Sequence, residues 1–372
     1  MDFLNTIVGT INDFLWTYII IVVLVGSGLW FTVSTGLVQL RALPEMVRLL
    51  AGDLGRRPSG RKAISSFQAF CVSTASRVGV GNIAGVAIAI VTGGPGAVFW
   101  MWVIAFIGTA TGFVESTLAQ IYKIPRGHGL FHGGPAYYIQ NALGQPAVAK
   151  LFAVLISVTF GLIYVSVQAN TIALSMEKAF GIDTWVMGGV LAVLSGVVIF
   201  GGIQRVANFA TLLVPVMAGI YLLIALITVI LHIDQVPAMF ALILHDAFSP
   251  QAAVGGGIGT AILTGIRRGL FSNEAGEGSI PNAAATANVT HPVKQGLVQA
   301  FGVYVDTWIV CSATAFIVLL TGQYVIGGDT TGIALAQDSL ASVFGPWASS
   351  LLAVLIFLFA FSSVVGNYYY GE

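Results

Sequence analysis

Residues 65–91 read SSFQAFCVSTASRVGVGNIAGVAIAIV, an apolar run interrupted at its centre by Gly79, Gly81 and Gly85, with Arg77 and Asn82 beside them. The run is long enough to cross a bilayer, which takes about 20 residues of helix. Each glycine in a helix interior costs roughly 1 kcal/mol against alanine, so two of them two residues apart predict an unwound turn. In hydrocarbon every backbone N–H and C=O must be satisfied, and a break therefore survives only where it is buried in protein or lines a polar cavity. Freed N–H groups at the start of the second half-helix attract a carboxylate, while carbonyls ending the first half suit a small cation. The segment is expected to form half of a binding site.

The rest of the chain gives this break a membrane setting. Hydrophobic residues make up 57% of the 372 and charged residues 8%, against about 25% charged in soluble domains. An all-α, polytopic integral membrane protein is the class this implies. Apolar runs of crossing length fall at roughly 14–40, 65–91, 96–122, 148–176, 184–203, 206–232, 252–270, 296–321 and 341–366. Val236–Phe248 is too short to span and is expected to lie along the surface or re-enter the bilayer. The first run is longer than a signal-peptide core and no basic residue precedes it, so it reads as a retained helix. Cys71 and Cys311 sit inside apolar runs and read as small core residues. Net charge is zero and no basic tract or low-complexity stretch occurs, so nothing points to nucleic acid.

Arg41, Arg48, Arg56, Arg57, Arg61 and Lys62 crowd the linker at 41–64 and place it in the cytoplasm, leaving the N-terminus outside. Alternation through the spans then puts Lys123, Arg126, Lys150, Arg205, Arg267, Arg268 and Lys294 inside as well, with Lys178 outside and Arg77 within the membrane. A multi-pass protein of the plasma membrane is expected.

Transporter folds often pair two broken helices from inverted repeats around one site near the midplane. Gly255, Gly256, Gly257 and Gly259 predict a second break in the run at 252–270, five helices after the first. Close helix packing by small residues is the simpler alternative for that cluster.

The runs VGVGNIAGVAIAI, TGGPGAVFWMWV, VQANTIA, RRGLFSNEAGEGSIPNAAA and FAFSSVVGNYYYGE resemble the alanine or glycine:cation symporter family, sodium-coupled carriers of small neutral amino acids. The resemblance extends from Ser65 to the last residue. It implies the leucine-transporter architecture: an extra helix at 14–40, a first five-helix repeat at 65–232 and a second repeat at 252–372. That repeat would hold three of its five helices, so the chain looks truncated near the end of its ninth crossing.

By position, the resemblance gives the carbonyls of Ala75 and Val78 to sodium and the N–H groups of Val80 and Gly81, beside Gly79, to the substrate carboxylate. Many relatives carry threonine where this chain has Val80, which leaves the backbone contact and removes a hydroxyl. Asn82 would face the cavity with its amide, or cap the break itself. Ser362 and Ser363, with the carbonyl of Phe359 a turn earlier, would complete the oxygen cage that a hard cation requires. Serines in membrane helices otherwise bond back to their own helix. Gln168 matches a substrate-contacting position, interhelical packing being the alternative, and Gly257 would border the substrate at the second break.

Arg77, Glu115 and Asp306 are ionisable residues inside spans, where function is the default reading. An ion pair of Arg77 with Glu115 or Asp306 is expected at an inner gate, together with a network of Arg268, Asn273 and Glu274 at the cytoplasmic end of the seventh run. No acidic residue is placed to neutralise a cationic substrate side chain, so a small neutral amino acid fits, with sodium as coupling ion and no organic cofactor. A proton-coupled carrier of the same architecture is the alternative. All five histidines lie at or beyond span ends and no GxxxxGK motif occurs, which argues against an embedded enzyme. A channel would need a continuous polar pore, for which two discontinuous sites fit poorly.

Overall fold

The computed structural model describes residues 2–53, 63–127, 129–200, 202–249 and 259–371. Six helices among them are long and apolar enough to cross a membrane: Thr6–Ser34, Gly96–Ile121, Pro146–Phe180, Ile203–Leu231, Pro292–Thr321 and Trp347–Tyr370. Ser66–Arg77 and Gly81–Gly93 are apolar and long enough when taken together, and they meet at an angle of 52° at the expected break. Thr184–Ile199 is apolar but shorter. One two-stranded hairpin, Ile124–Gly127 with Leu130–His132, is the non-helical exception among the described residues. The chain is a polytopic helical membrane protein.

Local sequence sets several helix ends. Ser65 Oγ accepts from Gln68 N–H while Gln68 Oε1 accepts from Ser65 N–H, a capping box that satisfies two otherwise orphaned donors. Asp183 caps Thr184–Ile199 by accepting from Trp185 N–H at 2.8 Å. Prolines open the helices at Pro135, Pro146 and Pro292, where the missing N–H costs nothing.

Gly96–Ile121 is the central scaffold of one half, packing on Thr260–Asn273, Ile280–Thr286, Pro292–Val303 and Ile21–Ser34. Trp347–Gly371 plays that part in the other half, against Val165–Phe180, Ile203–Leu231 and Ser66–Arg77. Val236–Ala247 lies across the start of Gly96–Ile121, where Asp246 Oδ2 accepts from Gly96 N–H at 2.7 Å. The run read as 341–366 divides at Gly345, whose φ is +89°, and Pro346. Its first part belongs to a separate helix, Gly332–Phe344, and the crossing helix begins at Trp347.

The described part of the second broken helix carries a break of its own. Gly255 to Gly257 lie outside the described residues, and the break in the described helix falls further on, between Thr260–Asn273 and Ile280–Thr286. Glu274, Gly276 and Gly278 have φ of +56°, +89° and +81°. Two glycines in a left-handed conformation and two carboxylates that need partners end this helix more decisively than a glycine run alone.

The helix before this break also positions the arginines. Thr264 lies against Gly93, Arg267 pairs with Asp13, and Arg268 shares a cavity with Lys178. At the far end, Lys123 Nζ bonds the Ala287 carbonyl at 2.7 Å. Arg267 and Arg268 therefore sit in the half of the helix on the Lys178 face, not at the end on the Lys123 face. The alternation expected from the sequence put both arginines at the cytoplasmic end of the run at 252–270, whereas they lie ahead of the break that follows Asn273, on the Lys178 side. On the Lys123 face the ends of the two broken helices touch, with Asn288 N–H donating to the Ile64 carbonyl at 2.9 Å.

Candidate functional site

At the first break, Val78 N–H still closes the last turn on Thr74 O at 2.8 Å, and Val78 ψ of 87° then turns the chain out of the helix. The freed donors find side chains. Gly79 N–H donates to Asn82 Oδ1 at 2.9 Å, and Val80 N–H to Gln168 Oε1 at 3.1 Å. Asn82 is fully buried; its Nδ2 donates to Asp306 Oδ1 at 2.7 Å, and its carbonyl accepts from Thr314 Oγ1 at 2.7 Å. Asn82 thus caps the break, the second of the two readings given for it. Gly79 is needed for space: a Cβ there would lie 2.3 Å from Ser363 Oγ and 2.9 Å from Gln168 Oε1. A Cβ on Gly81 would meet the Phe271 ring at 3.3 Å.

Beneath Gly79, four oxygens converge from two helices. Ser363 Oγ lies 2.9 Å from Ala75 O and 3.2 Å from Phe359 O; Ser362 Oγ lies 2.7 Å from Phe359 O and 3.3 Å from Ala75 O. Both hydroxyls therefore bond across to the first broken helix as well as back to their own. All four residues are buried. Turning the hydroxyls' lone pairs inward converts this cluster into four oxygen ligands for one hard cation. Val78, also fully buried, stands at the helix end beside them.

The second break is held by carboxylates. Glu274 Oε2 accepts from Ser279 Oγ at 2.5 Å, while Oε1 lies 3.0 Å from Ser76 Oγ, which is also 2.6 Å from Asn367 Oδ1. Glu277 Oε2 accepts from Tyr164 OH at 3.1 Å, and Glu115 Oε1 accepts from Gly276 N–H at 3.3 Å. The break is thereby tied to the first broken helix, to Gly96–Ile121, to Pro146–Phe180 and to Trp347–Gly371.

The expected Arg77 ion pair does not form: neither Glu115 nor Asp306 brings an oxygen within 4 Å of the guanidinium. Arg77 instead donates to Ser73 O and to Gln299 Oε1, each at 3.3 Å, and presses on Gly302, where a Cβ would lie 2.2 Å from Nη2. Asp306 is fully occupied elsewhere, accepting from Asn82 Nδ2, Ser272 Oγ at 2.9 Å and Thr307 Oγ1 at 2.8 Å. Arg268 likewise does not join Asn273 and Glu274. Asn273 turns to Thr307 and Ala275 N–H, whereas Arg268 lines a cavity of about 440 Å³ on the Lys178 face. Val80, Gly81 and Phe271 border that cavity, so it opens onto the first break. Asn170, two residues after Gln168, is exposed.

Phe271, Ser272, Tyr164, Ser76 and Asn367 are absent from the sequence candidates. Ser272 and Phe271 adjoin the NEAGEGS run, whose carboxylates and spaced glycines within a crossing segment were the available signal. Tyr164, Ser76 and Asn367 carry none, since each takes its role from a residue distant in sequence. Local irregularity marks the same region: π-helical turns at Gly81–Gly85, Thr159–Tyr164 and Tyr304–Cys311 all border the site. Outside the spans, Lys123 holds the Ala287 carbonyl and Gln120 Oε1 over the Phe131 ring, and burial lowers its pKa to about 8.

A family model described as the sodium:alanine symporter family matches residues 1–372. The chain is similar to the amino-acid carrier protein AlsT of Bacillus subtilis, 53% identical over 371 residues that cover 100% of this chain and 78% of the relative. It is also similar to two further proteins of that organism. One is a probable sodium/glutamine symporter, GlnT, at 52% identity over 99% of this chain and 76% of the relative. The other is a putative sodium/proton-dependent alanine carrier, YrbD, at 46% identity over 98% and 77%.

Proposed function

The chain belongs to the sodium:alanine symporter family, whose members are transporters and not enzymes, and from that premise we propose that it imports a small neutral amino acid, alanine or glycine, together with sodium across the plasma membrane. Support comes above all from one observation, the convergence of Ala75 O, Phe359 O, Ser362 Oγ and Ser363 Oγ beneath Gly79. In this reading those oxygens, with the Val78 carbonyl, take sodium. The Val80 and Gly81 N–H groups take the amino acid's carboxylate once Gln168 Oε1 releases Val80, and Gln168 then serves the ammonium. Gly257 would border the same substrate.

The reading includes a leucine-transporter-like scaffold, with an extra helix at 14–40, a first repeat at 65–232 and a second repeat from 252 onward. The bend of the first broken helix and the carboxylate-tied break of the second accord with it. Transport proceeds by alternating access, with Arg77, Glu115, Glu274 and Asp306 as the polar groups that change partners and Arg268 on the Lys178 face, which the basic loops make the outer one. Sodium and amino acid help each other because both require the first break to be ordered, and linkage makes that benefit reciprocal.

Uptake of radiolabelled alanine into proteoliposomes tests the proposal. An inward sodium gradient should drive accumulation and choline replacement should abolish it. Accumulation that ignores sodium and follows a proton gradient would favour the second reading, proton coupling, to which the buried Asp306 carboxylate and YrbD's description both lend weight. Glutamine belongs among the competitors tested because GlnT is described as carrying it.

A further inference from the structure

Two cations line the cavity above the first break, and they are in different states. Lys178 is neutralised by Asp338 at 2.6 Å and also bonds Ala334 O. Arg268 is partly buried and has no hydrogen bond or ion pair among the described residues. Its neighbour Arg267 shows the contrast, since it bonds Asp13 Oδ1 at 3.2 Å and lies 5.8 Å from the Trp16 ring centre. The Arg268 fork carries five donors matched to a planar carboxylate, and partial burial strengthens what it attracts.

Its position gives that attraction a use. Arg268 stands one helical turn, about 4.5–6 Å, before Phe271 and Ser272. Phe271 borders Gly81, and the cavity reaches Val80 and Gly81 below. Among the described lining residues no carboxylate faces Arg268. Arg268 thus lines the same cavity as Lys178 and the break residues Val80 and Gly81.

We propose that Arg268 is a docking residue for the α-carboxylate of an amino acid, a site in the outer cavity occupied before the carboxylate is handed to the Val80 and Gly81 N–H groups. The inference rests on the transport reading given above. The same charge repels a cationic side chain and so helps to confine the substrates to neutral ones.

The test uses the purified chain in proteoliposomes and phenylglyoxal, an arginine-directed reagent, with labelling of the Arg268 peptide followed by mass spectrometry. Propionate, a carboxylate without an ammonium, and alanine should both slow labelling without sodium; propionamide, of the same shape and uncharged, should not. Arg268→Gln should raise the KM for alanine about tenfold, equivalent to about 1.4 kcal/mol, with maximal uptake retained. Arg268→Lys, which keeps the charge and loses the fork, should fall between. Uptake by the wild type with no protection by propionate, or with KM unchanged in Arg268→Gln, would overturn the docking site. Protection of Arg268 without sodium-dependent uptake of any neutral amino acid would leave the anion site standing and overturn the transport reading.

Discussion

The two broken helices solve one problem, an interrupted backbone inside a membrane, by opposite means. At the first, three uncharged residues, Val78 to Val80, separate the half-helices, and the freed N–H groups are met by the neutral amides of Asn82 and Gln168. Its glycines serve close approach: Gly79 lets Ser363 and Gln168 come in, and neither Gly79 nor Gly81 has a positive φ. At the second, six residues from Glu274 to Ser279 form the gap, positive φ values fall at Glu274, Gly276 and Gly278, and carboxylates make the ties. A neutral break can exchange its amide partners for a ligand at little cost. A charged one is strongly anchored, because removing one partner leaves a buried charge unpaired. The first is built to bind and the second to hold the position of the helices around it.

Gly79→Ala should separate the two most sharply. Its Cβ collides with the oxygens over which sodium and substrate would meet, so sodium-dependent uptake should fall by about a hundredfold, the upper end of a 1–3 kcal/mol overpacking cost. Gly276→Ala instead strains a left-handed residue, at about 1–3 kcal/mol, and should lower the melting temperature while leaving sodium affinity intact. Equal loss of sodium affinity in both variants would erase the distinction. The next largest effect is expected of Ser362→Ala with Ser363→Ala. Removal of two oxygen ligands should raise the sodium concentration for half-maximal uptake by about tenfold or more, each hydrogen-bonding group contributing about 0.5–1.5 kcal/mol.

Glu274→Gln keeps the shape of the second break and removes its charge. Uptake should fall several-fold, in keeping with about 1 kcal/mol for weakening a charge-assisted bond, with sodium dependence unchanged. A shifted sodium dependence would mean that the second break also takes part in cation binding. Tyr164→Phe is expected to be mildest. It removes one hydrogen bond to Glu277, and uptake should stay within about threefold, from a loss near 0.5 kcal/mol.

The first break was legible because its signal is local: glycines two residues apart, an asparagine and an apolar frame fall within one turn of sequence. Ser362 and Ser363 came from the family resemblance, since serines in a membrane helix by themselves read as bonding back to their own helix. The break expected at Gly255–Gly257 lies outside the described residues, and the one from Glu274 to Ser279 was not read from the sequence because its signal is not local. The bend itself depends on Glu274 finding Ser76 and Ser279 and on Glu277 finding Tyr164. Arg77 went to Gln299 because helix Pro292–Val303 presents an amide and Gly302 where the sequence offered only the choice between two acids.

By itself the sequence determined the membrane setting, the approximate place of most apolar crossings and the first break, all consequences of hydrophobic length and local backbone propensity. Tertiary structure alone decided which buried charge meets which partner, that Asn82 caps while Gln168 occupies Val80, and that Arg268 faces the Lys178 side with no partner among the described residues. Those outcomes depend on which helices lie side by side, and the hydrogen-bond geometry that fixes them holds only within about 3.5 Å, so no spacing along the chain encodes them.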